Sequence, residues 1–88
     1  MKGGITVTQG ERAEIMKRIL GWLITKKNGA TNSGITYYVK WEITEGGATD
    51  NAIKKYIKDL GKAGHIKYDH PFWKISSTGK EWLERHSI

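Results

Sequence analysis

The 88-residue chain has no cysteine, one proline, one phenylalanine and two methionines. Without cysteine, a disulfide framework and any thiolate metal or redox site are excluded. With one proline and no compositional bias, there is no sign of a proline-rich linker or a low-complexity tail. No apolar run approaches the roughly 18 residues of a membrane span, and the opening residues hold no signal-like stretch. A cytoplasmic, DNA-associated location without membrane contact is the expectation. Acidic residues are also scarce, nine against fifteen Lys and Arg.

What is present is enough apolar and aromatic material for one core: 38% hydrophobic residues, four Trp and four Tyr. A chain of this size can fold as a single domain without metal or disulfide staples. The expected domain is the whole chain, with residues 1–7 as a loose arm. The formal charge of +6 favours anionic partners, nucleic acid first and an acidic protein or membrane surface after it. That balance is weak evidence until the charges are placed.

Along the chain, Ile5–Val7 could form a short strand. Thr8 and Glu11 have capping-box spacing, which predicts a helix start. Met16, Ile19, Leu20 and Leu23 share one face of that first helix, and Asn28-Gly29 supplies its stop. Ala30-Thr31 could pair briefly as a strand. Ile35, Tyr38 and Val39 predict a second helix near 33–43, although "ITYYVKWEIT" has the β-branched and aromatic content of a strand. Thr49 or Asp50 caps a third helix with Ile53, Tyr56, Ile57, Leu60 and Ala63 on its apolar stripe. Gly64 ends it. "HIKYD" and "WKIS" alternate as a hairpin, with Ile66, Tyr68, Trp73 and Ile75 inward and His70-Pro71 at the turn. Thr78 and Glu81 form a second capping pair, opening a last helix with Trp82 and Leu83 inward.

"NAIKKYIKDLGKAGHIKYD" resembles the recognition helix, glycine turn and first wing strand of winged helix-turn-helix DNA-binding domains. "WKISSTGKEWL" resembles the second wing strand and the start of the final helix. The pairing of L-x-x-x-G-x-I with I-x-x-x-G-x-x-W-L carries this likeness, which covers residues 8–86; small regulators of archaea and their viruses are a looser likeness. It implies an α+β, mostly helical fold: a three-helix core, a short hairpin wing and a C-terminal helix. It also implies double-stranded DNA as the partner, bound sequence-specifically in transcriptional regulation. The chain departs from the pattern in its aromatic second helix and its very short wing tip. A winged-helix protein-interaction module and a non-specific architectural DNA binder are the competing expectations.

On a helical wheel Asn51, Lys54, Lys55, Lys58 and Lys62 fan out opposite the apolar stripe. Lysines there could neutralise phosphates or meet guanine edges, and Asn51 could pair with adenine. The plainer reading of such a run is a solvated face. Given the resemblance, Ser33, Thr36 and Tyr37 on helix 2, with Thr49 at the helix 3 cap, would approach the backbone; simple capping is the alternative. Trp41 is expected in the core or an interface. Lys67, His70 and Lys74 would lie along a neighbouring phosphate strand. Phe72 is left between the core, a dimer contact and a groove wedge.

His65, Asp69, His70 and His86 are the only candidate bases or ligands, and no motif stands behind them. No phosphate loop, paired carboxylates or nucleophile pattern occurs, so no catalysis, metal, cofactor or small-molecule ligand is expected. Ile15 and Trp22 widen the helix 1 stripe beyond what one core needs. The surplus, with Trp82, suggests a homodimer, or else packing against the last helix.

Overall fold

The computed structural model describes residues 9–86, with side chains from residue 12 onward. The arm at 1–7, the Ile5–Val7 strand and the Thr8–Glu11 capping pair lie outside them. The elements are α1 (Gln9–Leu23), α2 (Asn32–Tyr37) running on as a π-helical turn (Tyr38–Ile43), α3 (Asp50–Lys62), β1 (Ile66–Asp69), β2 (Phe72–Ile75) and α4 (Ser77–His86). Counting α2 and its π turn as one, the described residues form four helices and one antiparallel hairpin, a mostly helical α+β architecture. Among the described residues no helix is long and apolar enough to cross a membrane.

The core forms where the apolar spacings meet. Ile15, Ile19, Leu20 and Leu23 of α1 close on Ile35 and Val39, on Ile53, Tyr56, Ile57 and Leu60 of α3, and on Ile66 of β1. Each such aliphatic side chain contributes about 1.5–3 kcal/mol by leaving water. In the hairpin Ile66 opposes Ile75, and Tyr68 opposes Trp73. Ala30 pairs antiparallel with Trp73, so the brief strand expected at 30–31 is a one-residue bridge on the free side of β2.

Several local details differ from the expectations. Helix α1 ends at Leu23 rather than at Asn28-Gly29, because Thr25 turns the chain early. Its N–H and hydroxyl both donate to the Trp22 carbonyl, at 3.1 and 2.6 Å. Ile15 is 9% exposed and belongs to the core rather than to a surplus stripe. Trp22 lies flat on Tyr38, centroids 4.4 Å apart, and α1 packs directly on α4, where Trp82 lies against the core. The aromatic surplus is therefore absorbed largely within the chain.

Helix α3 stops as a Schellman turn. Gly64 takes φ +81°, its N–H meets the Gly61 carbonyl and the His65 N–H meets the Leu60 carbonyl. Ala63, expected on the apolar stripe, is the C-cap and faces solvent. Helix α4 is capped by Ser76 rather than Thr78. The Gly79 N–H donates to Ser76 Oγ at 3.0 Å, while the Ser76 hydroxyl donates to the Gly64 carbonyl. That second bond ties the cap to the end of α3 and selects Ser76; Thr78 is left exposed inside the helix. Tyr68 departs from expectation too. It shares its face with Ile66 yet is 49% exposed, because the hairpin outruns the core after its first residue.

Two glycines test this packing in opposite directions. A Cβ on Gly79 would sit 2.2 Å from the His65 carbonyl oxygen, whereas one on Gly21 in α1 meets nothing within 4 Å. Gly79→Ala should destabilise by about 1–3 kcal/mol through overpacking, and Gly21→Ala should stabilise by about 0.5–1 kcal/mol. Urea unfolding midpoints of the two variants check both signs.

Candidate nucleic-acid interface

Helix α3 begins where Thr49, in extended backbone, accepts the Ala52 N–H at 3.1 Å. The next residue, Asp50, takes the Lys40 ammonium at 3.1 Å instead of capping. From behind, Arg12 bonds Asp59 at 2.6 Å and lies over the Tyr56 ring, fixing the rotation of α3. With its apolar stripe turned inward, Asn51, Lys54, Lys55, Lys58 and Lys62 are all exposed. Asn51, Lys58 and Lys62 follow the outward crest, Lys54 leans to one flank and Lys55 to the other.

Beside the Lys54 flank runs an open cleft of about 1190 Å³ between α2 with its π turn, α3 and the hairpin. Ile57, Gly61, Ile66 and Trp73 supply its apolar floor. The Trp73 indole lies so close to Gly61 that a Cβ there would be 3.3 Å from it. Seven expected site residues line this one cleft: Ser33, Thr36, Tyr37, Lys54, Lys58, Lys62 and Lys67. The cap of α2 is Thr31, whose hydroxyl accepts the Gly34 N–H at 3.1 Å. This leaves Ser33 and Thr36 off capping duty.

The other expected residues stand apart. Thr49, Asn51 and Lys55 are exposed on α3 outside the cleft. His70, at the hairpin tip, meets the Tyr68 hydroxyl through Nδ1 at 2.9 Å. Lys74 opposes Lys67 in register but bonds Asp69 at 3.1 Å. Among the described residues no ion pair engages Lys54, Lys55, Lys58, Lys62 or Lys67.

Sequence reasoning placed Tyr37 at the site but missed the three other aromatics of the cleft, Trp41, Tyr68 and Trp73. Trp41 lines the cleft at 52% exposure rather than filling the core, and Tyr37 is 60% exposed. A signal was present: Tyr37 and Trp41 are four apart and both off the Ile35–Val39 stripe, so a helix presents them side by side. Tyr68 and Trp73 complete the aromatic lining, ring centroids 4.9 Å apart. Trp73 is held by its indole N–H, which donates to the Asn32 side chain at 2.7 Å.

His65 and His86 meet on Trp82, while His70 bonds Tyr68 at the hairpin tip. Among the described residues no group of three or more His, Cys, Asp or Glu could hold a metal. His65 is tilted against Trp82 at 5.6 Å, and the His86 ring stacks on the same indole at 4.1 Å. Comparison with known proteins finds no family model, curated protein or solved structure that matches this chain.

Burial of His65, with a second contribution from the nearby charge of His86, holds its imidazole below its ordinary 6.5. Its Nδ1 is buried without a hydrogen-bond partner. The folded state thus binds this proton less readily than the unfolded chain, so stability is full above about 6.5 and is lost as pH falls below it. Urea midpoints should drop between about pH 7 and pH 5. His65→Phe, which keeps the ring against Trp82, should flatten that drop; equal slopes for the two proteins would rule out His65 as its source.

Proposed function

We propose that the chain is a winged helix-turn-helix domain that binds double-stranded DNA, with α3 as the element entering the major groove and the hairpin as a short wing. The element order supports the fold reading: helix, one-residue strand, two helices, hairpin, helix. The Ala30 bridge to β2 stands where such a domain carries its first strand. The observation that carries the functional reading is the outward side of α3. Four exposed lysines and Asn51 stand there without an ion pair among the described residues.

Those lysines give phosphate attraction, and Asn51 on the crest gives base readout. Lys67, with Ser33 and Thr36 across the cleft, extends the contact to either side. One copy carries this contact: Ile15 lies in the core and Trp22 stacks on Tyr38 within the chain. Sequence-specific transcriptional regulation and a cytoplasmic, DNA-associated location belong to the same proposal.

About four to six neutralised phosphates predict a log–log salt slope of roughly −4 to −5. Lys54, Lys55 and Lys58 changed together to Ala should flatten that slope by about 3 and, at ~0.1 M salt, weaken binding about a hundredfold or more. Fluorescence anisotropy with labelled duplex, beside a thermal melt of the variant, measures both. A folded triple variant that binds as tightly as the parent would remove α3 from the interface. Selection from a random duplex pool then separates a site-specific regulator, which enriches a motif, from an architectural binder, which does not.

A further inference from the structure

Four aromatic side chains line a cleft whose rim is lysine, and duplex DNA has no use for them. In a duplex the base faces are stacked on one another, so ring surfaces on a protein find no partner. An unpaired strand offers a free π-face on every base and a phosphate between each pair. Tyr37 and Trp41 stand side by side on one wall at 60% and 52% exposure, and Tyr68 stands on the hairpin wall at 49%. Lys54, Lys58 and Lys67 border the same space.

The cleft is also the wrong shape for a small molecule. At about 1190 Å³ and open to solvent, it exceeds the roughly 300–1,000 Å³ of closed ligand pockets. It runs between three elements and has the look of a channel for a chain. Its one acid, Asp50, is already bonded to Lys40, so the lining presents net positive charge.

We propose that this cleft holds an unpaired DNA strand, its bases stacked on Trp41, Tyr37 and Tyr68 and its phosphates met by Lys54, Lys58 and Lys67. This rests on the reading of α3 as the duplex-binding element: a duplex seated on the Asn51–Lys55 side delivers its single-stranded continuation into the cleft next door. The protein is then selective for duplex that borders single strand.

The test uses the full chain and three labelled DNAs at one salt concentration: a blunt duplex, the same duplex with a ten-thymidine tail, and the free thymidine strand. The tailed duplex should bind about tenfold more tightly than the blunt one, a gain expected from one or two stacked bases. Trp41→Ala and Tyr37→Ala should each erase most of that difference, and Trp41→Ala should leave blunt-duplex affinity unchanged. Trp41→Phe, which keeps an aromatic face, should retain it, and thermal melts confirm that each variant is folded.

Equal affinity for tailed and blunt duplex overturns the inference and leaves the duplex reading standing. A tail preference untouched by Trp41→Ala and Tyr37→Ala overturns the assignment to this cleft. Binding of the free strand without the blunt duplex supports the cleft as its site and sinks α3 as a duplex reader. No binding to any of the three removes both proposals.

Discussion

Ala30 and Trp73 exchange two backbone hydrogen bonds, Ala30 N–H to Trp73 O at 2.9 Å and the reverse at 2.7 Å, and the hairpin takes its position from that pair. A two-stranded hairpin has little stability by itself in water. This one is fastened at a single residue and reinforced by what the same residue does with its side chain. The indole presses on Gly61 of α3 and donates to Asn32 at the start of α2. One tryptophan thus touches the bridge, the second helix and the third. The cleft exists because those three are held at fixed separation around it.

The second anchor is smaller and polar. Ser76 links the Gly64 carbonyl, at the end of α3, to the Gly79 N–H, at the start of α4. Gly79 lies so near the His65 carbonyl that a side chain would displace the chain there. The end of α3, the root of the hairpin and the start of α4 therefore form one joint. A hydroxyl and a missing methyl position three elements.

How much of this could be read from the residues divides along sequence distance. The stripe Ile53, Tyr56, Ile57 and Leu60 and the Gly64 stop are local patterns, and both were legible. So were the hairpin and the brief strand at Ala30. The choice of Ser76 over Thr78 was not, since both suit a cap and only a contact twelve residues away decides. The exit of α1 at Leu23 turned on Thr25, a residue with no standing as a stop signal. The exposure of Tyr68 depended on how far the core extends along β1, which alternation alone does not report. The site divides in the same way. Its lysines on α3 were visible on a helical wheel, while the cleft joins residues 32–41, 50–62 and 66–73 and appears only when they meet. Of the two places expected for Trp41, the core followed from its type, while its position four after Tyr37 pointed outward.

Charge placement explains why so many lysines remain available. The chain has three aspartates, and each is spent on a cation outside the α3 lysine cluster: Asp50 on Lys40, Asp59 on Arg12, Asp69 on Lys74. The exposed pairs contribute little to stability, about 0–1 kcal/mol each. Their larger effect is to keep carboxylates away from Lys54, Lys55, Lys58, Lys62 and Lys67. Within α3, Lys54 with Lys58 and Lys58 with Lys62 are like-charge neighbours four apart, each costing a few tenths of a kcal/mol. Lys67 adds another repulsion across from Lys74, eased by Asp69. A polyanion seated on this surface, as proposed, would relieve these costs, so part of its affinity would come from repulsion already stored in the free protein. An arrangement that is slightly unfavourable alone is, for that reason, well suited to an anionic partner.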